Sequence, residues 1–540
     1  MGEKNILKAV EFIDNHFAEK MTLRNVAAQT GFSPFHLTRL LKKETGYSFI
    51  QLLNRKRLSL SKKLLEQMSV TEVCFEAGFE SLSYFSRRFK IAYGLNPSEY
   101  RARLKDKHKR KLLFPDEDLS QRCLGQKPVS FVEQYHRGIL EVIGKIAVRE
   151  TQGIMEAADL CAAVLKKGKR VVSVSHHSEG YLVESFGWDQ REPAPVRRRW
   201  YPIHKSYDQK RGHIRVSHPR LRFLPEFEKG DVLVTSIPFQ ETASLRNGGV
   251  EVTGLASPFY KNRSAALKKL EAEETDPYLE DISNRVIYSH VLPEDGLVCV
   301  PEIPVTPFAP CSTVALQIIR STLREWTADR FIGLKPDPDS ALTADLTKKM
   351  KAVPKLFPLL KKVGVQAADK VIAGGRFYVS GSREIISEFT WRGSGLFGLE
   401  PLKPDRLGDK DVVLIHASSP NDQKAVELAR RSREKRAYTV VLYPGSKVKK
   451  KHDSWAISAD DSMDTSLGDY GRAAEDPAER TMARLSAGIL PIILGWMVCA
   501  SFLQEMVIRG HVPFVFRGFH LRGGKKYNEA LYPLYLERGY

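Results

Sequence analysis

Basic and hydroxyl side chains recur along two helical patterns near the start of this chain. In GFSPFHLTRLLKKETG, Gly31 to Gly46, apolar anchors alternate with Thr38, Arg39, Lys42 and Lys43. A similar pattern returns in GFESLSYFSRRFKIAYG, from Gly78, with Ser83, Ser86, Arg87, Arg88 and Lys90. Such groups, gathered on one face, suit a polyanion. Arginine can pair bidentately with a guanine edge, whereas phosphate contacts position a protein without reading sequence. The apolar face has the other task, closing a small helical bundle.

The elements that must position these side chains are legible. Residues 6–20 place Ile6, Val10, Ile13 and Phe17 on one helical face. Thr22 is a fitting N-cap for a short helix, Gly31 supplies a tight turn, and Ser33 caps a second helix through Lys43. A short helix, a glycine turn and a second helix make a helix-turn-helix. The unit repeats: Gly78 aligns with Gly31 and Phe79 with Phe32, 47 residues on, with Thr71 near the place of Thr22 and Gly94 near that of Gly46. The segment between reads as one connecting helix. Two such units can lay reading helices in successive major grooves, about 34 Å apart. Phe32, Leu37, Leu40, Phe79, Phe85 and Phe89 read as core. Phe35 and Leu82 are open to two readings, base contact or local packing.

With the closing run YGLNPSEYRARLK, Tyr93 to Lys105, residues 5–105 resemble the DNA-binding domain of the AraC/XylS family. The resemblance implies base-facing positions at Phe35, Thr38 and Arg39 in the first unit, and at Leu82, Ser83, Ser86 and Arg87 in the second. It implies phosphate contacts from Lys42, Lys43, Arg88 and Lys90.

Bulk properties agree with a nucleic-acid partner. The net charge is +20, and residues 1–111 hold 22 Lys or Arg against 11 Asp or Glu. About a fifth of the chain thus carries over half of the excess, beside the helical repeat. The six cysteines form no C-x-x-C pair. Several sit in apolar runs, as expected of buried thiols in a reducing, cytoplasmic compartment. The amphipathic, charged N-terminus is no secretory signal. Leu485–Gln504 is uncharged for twenty residues. That length could span a bilayer, yet Gly488, Pro491 and Gly495 interrupt it, and a buried core helix is the expectation.

At 540 residues the chain has room for about three domains. The expectation is an all-α tandem helix-turn-helix domain over 1–108 and a linker over 109–128. Two α/β domains, each with a doubly wound parallel sheet, then cover 129–335 and 336–540. Short Val-rich strands separated by helices support the parallel sheets: RVVSVSHHS, GDVLVTS, GVEVTGLA and NRVIYSH, then FYVSGS, DVVLIHASSPND and AYTVVLY. A basic stretch, Pro195–Phe223, reads as an exposed insertion, or as a lid or a DNA-facing arm.

These modules resemble the SIS (sugar isomerase) phosphosugar-binding fold, through HHS, GDVLVTS, NRVIYSHVLPEDGLV and PCSTVALQIIRSTL in the first. In the second the resemblance lies in FYVSGSREI, DVVLIHASSPND and PFVFRGFHLRGGKKYNEAL. In such a fold, strand-end hydroxyls and backbone N–H groups beside a helix N-terminus cradle phosphate. Candidate ligand residues are then His177, Ser178, Ser236, Ser312 and Thr313 in the first module, and Ser380, Ser382, Ser418 and Ser419 in the second. The first module departs from the pattern at SIPFQET, with Pro238 and Phe239 where small residues are expected.

No cofactor motif and no catalytic constellation stands out. His176–His177 is poor chelate geometry, and the acidic run Ile457–Gly471 reads as a solvated loop, so no metal site is expected. The leading expectation is a transcriptional regulator that binds double-stranded DNA, senses a sugar-phosphate effector, works as a homodimer and does not enter the membrane. Two alternatives stay open: a sugar-phosphate isomerase-type enzyme, with Glu179, Glu384 or Glu388 after the right loops, and a ligand-free scaffold for dimerisation.

Overall fold

The computed structural model describes residues 9, 12, 13, 16–45, 48–65, 67–93, 96–105, 130–176, 199–208, 213–217, 227–236, 241–256, 279–291, 295–300, 302–303, 306–338, 342–390, 392–419, 422–445, 458–467, 477–518 and 524–540. Thr22 starts helix α1 (Leu23–Thr30). Its hydroxyl accepts from the Asn25 N–H, and the Asn25 side chain accepts from the Thr22 N–H. Gly31, in the left-handed region at φ +73°, ends it. Helix α2 (Pro34–Thr45) begins with the Ser33 hydroxyl accepting from His36 N–H at 3.2 Å. The connecting helix is α3 (Phe49–Leu64).

The second unit repeats this plan with α4 (Val70–Glu76) and α5 (Leu82–Tyr93), followed by α6 (Pro97–Lys105). Its cap is Ser69, not Thr71: Ser69 and Glu72 form a reciprocal capping box, 47 residues after Thr22, and Thr71 lies inside the first turn. Gly78 has φ +86°, and a Cβ there would sit 2.4 Å from the Ala18 carbonyl oxygen. No L-residue with a side chain fits that approach. The proposed linker, 109–128, lies outside the described residues.

The first α/β module opens with α7 (Phe131–Arg149), capped by Ser130 and Glu133, and α8 (Thr151–Lys166). Its sheet holds β1 (Val171–His176), β2 (Trp200–Asp208), β3 (His213–Ser217), β4 (Val232–Thr235), β5 (Glu251–Ala256) and β6 (Arg285–Tyr288) in the order β3-β2-β1-β4-β5-β6. Every neighbouring pair is parallel except β2 with β3. The basic stretch Pro195–Phe223 therefore supplies two strands and is not simply an insertion. Trp200 is buried. Trp, Tyr and Ile give residues 200–207 a strand preference that the flanking arginines hide.

A short antiparallel pair, β7 (Gly296–Val298) and β8 (Phe308–Pro310), leads into helix α9 (Ser312–Phe331). The second module contains α10 (Leu342–Met350) and α11 (Phe357–Ile372). Its fully parallel sheet has the order β10-β9-β11-β12-β13, built from β9 (Phe377–Ser380), β10 (Leu399–Pro401), β11 (Val412–His416), β12 (Tyr438–Tyr443) and β13 (Asp461–Asp464). Helix α12 (Arg383–Phe389) follows β9, and α13 (Gln423–Glu434) follows β11.

The long α14 (Pro477–Ile508) carries the uncharged run. Gly488–Ile508 is long and apolar enough to cross a membrane, yet 89% of it is buried inside the protein, as a core helix requires. At Gly364 of α11 a Cβ would clash with the Ser501 backbone of α14 at 2.7 Å, so the two helices touch backbone to backbone. Helices α7 and α10 also pack on α14. A final helix, α15 (Gly524–Arg538), closes the chain.

Candidate functional site

Two groups of side chains stand clear of the helical bundle. In α2, Phe35 is 82% exposed, and Thr38 and Arg39 are exposed beside it. In α5, Leu82 is 40% exposed, Ser83, Arg87 and Lys90 are exposed, and Ser86 is half-buried. Phe35 thus does not pack locally, whereas Leu82 is partly covered and partly open. The Thr38 hydroxyl donates back to the Pro34 carbonyl at 2.9 Å. Lys42 and Lys43 lie within α2, but their side chains are outside the described residues.

Opposite these faces the apolar anchors hold. Leu37, Phe79, Phe85 and Phe89 are buried, and Phe32 and Leu40 are half-buried. A strut missed in the sequence fixes the two units together. Arg57 of α3 donates to the carbonyls of Phe17 (2.7 Å) and Glu19 (2.9 Å), and its guanidinium lies over the Phe79 ring. Asn54 donates to the Tyr84 hydroxyl at 2.7 Å. In the run NRKR nothing local marks Arg57 as the buried arginine. Arg88, expected at a phosphate, is half-buried against Gly510 instead.

The two sheets share one device. In each, the first strand is flanked by the second on one side and by a later strand on the other. The chain thus reverses direction across the sheet between β1 and β4, and again between β9 and β11. Loops leaving the carboxyl ends at such a switch point form a crevice suited to ligands. His177, Ser178 and Glu179 follow β1 and lie outside the described residues. Ser236 follows β4, and its hydroxyl is already held by the Arg320 guanidinium at 3.0 Å. Arg320 also donates to the Ser173 hydroxyl and, at 2.8 Å, to the Val174 carbonyl.

Ser312 and Thr313 open α9, and they too are engaged from within. The Asp295 carboxylate accepts from the N–H groups of Cys311 (3.0 Å) and Ser312 (2.5 Å) and from the Ser312 hydroxyl (2.9 Å). Arg392, from the second module, reaches Asp295 (3.0 Å), Ser312 (2.6 Å) and Thr313 (3.0 Å). Thr313 donates to Glu388 at 2.8 Å, and the Trp496 indole donates to the other oxygen of Glu388 at 3.1 Å. Glu388 is fully buried, and burial pushes its carboxyl above the usual range against the pull of Arg392. The Ala309 N–H adds a backbone bond to the Ser394 carbonyl at 2.9 Å. This clasp joins the modules: its first-module members, Asp295, Cys311, Ser312 and Thr313, lie 75 to 97 residues from Glu388 and Arg392 in sequence.

In the second module, Ser380 ends β9 and is buried, and the Ser382 hydroxyl caps α12 by accepting from Ile385 N–H. Ser418 donates its N–H and hydroxyl to Asp422, the N-cap of α13, and the Ser419 carbonyl accepts from Asp422 N–H. These residues leave adjacent parallel strands at one edge. Between them, His416 ends β11. It is 6% exposed, packed on Phe389, and among the described residues neither ring nitrogen has a hydrogen-bond partner. Burial lowers its pKa to about 3. Glu384 is buried as well.

Among the described residues no group of three or more His, Cys, Asp or Glu could hold a metal ion. Of the acidic run, Asp460 and Asp464 accept backbone N–H groups, and Asp461 meets Lys362 and Tyr438. A buried pair went unread in the sequence: Glu150 accepts from the Tyr288 N–H and meets His290 at 2.7 Å.

The fold and the exposed faces of residues 16–105 define a tandem helix-turn-helix protein. Residues 26–103 match the family described as a helix-turn-helix domain. Regulatory protein PocR of Salmonella typhimurium is 29% identical over 106 residues, which is 19% of this chain and 35% of that protein. Multiple antibiotic resistance protein MarA of Escherichia coli is 32% identical over 94 residues, 17% of this chain and 74% of that protein. The chain belongs to the AraC family. It spans little more than a third of the first curated relatives it matches. A solved structure of a proposed phosphosugar isomerase from Silicibacter pomeroyi overlaps 68% of this chain and 97% of its own, at 13% identity and a TM-score of 0.37.

Proposed function

We propose that this chain is a transcriptional regulator whose two helix-turn-helix units read double-stranded DNA. The observation that carries the reading is the pair of exposed faces, Phe35, Thr38 and Arg39 on α2 and Leu82, Ser83 and Arg87 on α5. Each stands on its own capped helix, and Arg57 braces the two units. Selection from randomised duplexes tests it. The expected product is a bipartite site with half-sites about 10 base pairs apart. Arg39→Ala and Arg87→Ala should each cost about 1–3 kcal/mol at one half-site only. Failure to enrich any sequence, or equal loss at every site, would sink the reading.

The α/β modules act as the sensor in this proposal. The effector is a phosphorylated sugar or a related metabolite, received at the second module's switch point by Ser380, Ser382, Ser418 and Ser419. A thermal-shift screen of the full chain against sugar phosphates tests this. A shift abolished by Ser382→Ala with Ser418→Ala is expected, and no shift with any compound counts against it. The ligand-free scaffold reading has its own support in the first module, where Asp295 and Arg320 occupy the candidate positions. Operation as a cytoplasmic homodimer belongs to the same proposal, and light scattering of the purified chain checks the dimer.

A further inference from the structure

Reading helix α5 has a second, half-buried contact. A Cβ placed on Gly510 would meet Arg88 Nη1 at 2.8 Å, Nη2 at 3.1 Å and Cζ at 3.4 Å, so the guanidinium rests directly on the Gly510 backbone. Gly510 lies just beyond α14, with φ +83°. Its N–H donates to the Val507 carbonyl, and the His511 N–H donates to the Met506 carbonyl, both at 2.9 Å. This is a left-handed helix ending, and its carbonyl end carries the negative pole of the helix dipole, which favours a cation. The Nε of Arg88 is closed to water.

The surroundings do not resemble a phosphate contact waiting for DNA. Arg538 donates to the Val512 carbonyl and lies over the Phe514 and Tyr540 rings. Arg509 is paired with Asp369. Burial first, then Arg538, Arg88 and Arg509, hold the His511 imidazole below its usual pKa, so Arg88 is close enough to be felt there. The two units also differ in how they meet the α/β body. Leu37, Leu41, Phe49 and Leu53 belong to the same contiguous apolar cluster as the body, whereas Val73, Phe85 and Phe89 form a cluster of their own. Among the described residues the second unit therefore shows no buried apolar seat on the body, and Arg88 supplies a polar one.

We propose that the end of α14 is the docking seat of reading helix α5, and that Arg88 is the residue that seats it rather than a DNA contact. The seat lies fifteen residues, about 22 Å of helix, from Gly495, where α14 presses on Phe389 and His416 at the second module's switch point. One helix and the glycine turn that ends it thus touch both the crevice and the reading unit.

The test uses the full chain with Arg88→Ala and, as a variant that keeps side-chain length, Arg88→Gln. Amide exchange is followed without DNA over residues 505–512 and 83–93. Both segments should exchange at least tenfold faster in each variant, while other helices stay unchanged. Unaltered exchange over 505–512 would overturn the seat. With a selected duplex, the slope of log affinity against log salt should stay the same in Arg88→Ala and fall by about one in Lys90→Ala. A fall of about one in Arg88→Ala would instead make it a phosphate contact. If no duplex binds, the DNA-reading proposal fails on that ground, and the exchange result still decides the seat.

Discussion

The two α/β modules share a switch-point topology and treat it in opposite ways. In the first, charged groups from within the protein occupy the candidate ligand positions: Arg320 holds Ser236, and Asp295 sits on the N-terminus of α9. In the second, the one charged group at the candidate positions is local, the Asp422 carboxylate that caps α13 and accepts from Ser418, and the buried group beneath the loops is an imidazole without a hydrogen-bond partner among the described residues. A shared backbone plan therefore does not carry a shared site. Whether a strand end can take an anion depends on what distant side chains already do there.

Four measurements break or sharpen this contrast. The largest effect belongs to the clasp. Arg392→Met leaves Asp295 and Glu388 buried without their shared cation, and should cost about 3–5 kcal/mol in denaturant unfolding. A wild-type midpoint would mean that the clasp does not hold the first module closed.

Next comes pH. His416 titrates at about 3 in the fold against about 6.5 unfolded. The unfolded state binds the extra proton, so its stabilising contribution is whole above pH 6.5 and is lost as pH falls toward 3. The loss reaches on the order of 5 kcal/mol. His416→Phe should flatten that part of the stability curve, and an unchanged curve would remove His416 from the account.

Arg320→Met should cost about 2 kcal/mol, because Ser173, Ser236 and the Val174 carbonyl lose a buried donor. If the variant also gains a thermal shift with inorganic phosphate, Arg320 is what excludes anions from the first module. The smallest effect is Ser382→Ala, which removes a cap worth about 1 kcal/mol. Its melting temperature should drop slightly without ligand. A drop as large as that of Arg392→Met would erase the distinction between the modules.

What could be read from the sequence follows the range of the forces involved. The helix-turn-helix repeat is local: caps, a glycine with positive φ and helical spacing lie within about thirty residues, so Gly31, Gly78, Ser33 and the two exposed faces were all legible. The parallel strands announced themselves as apolar runs. Strand β2 did not, because its arginine-rich flank dominates the composition, and β10 is too short for any pattern. The clasp was beyond reach. Asp295 sits in PEDG and Arg392 in TWRG, both of which read as ordinary turns, and only the fold brings them within 3.0 Å. His416 could have been noticed as the polar residue ending VVLIH, but that it lacks a partner is a property of the packed interior.

Consider last how α7 and α14 meet. The Phe131 N–H donates to the Gln504 side chain at 2.8 Å, and α7, which opens the first module, packs on the helix that nearly closes the second. During synthesis, α7 leaves the ribosome more than three hundred residues before its neighbour exists. Helix α10 and strand β7 cover part of its apolar face earlier, but the part that α14 covers must wait, exposed, until residue 508 has emerged. The two modules are then one unit of assembly, slow to complete because its contacts are so distant in sequence. A cut between residues 335 and 342 would yield halves that each expose what the other was made to cover, and that should recover the fold only when mixed.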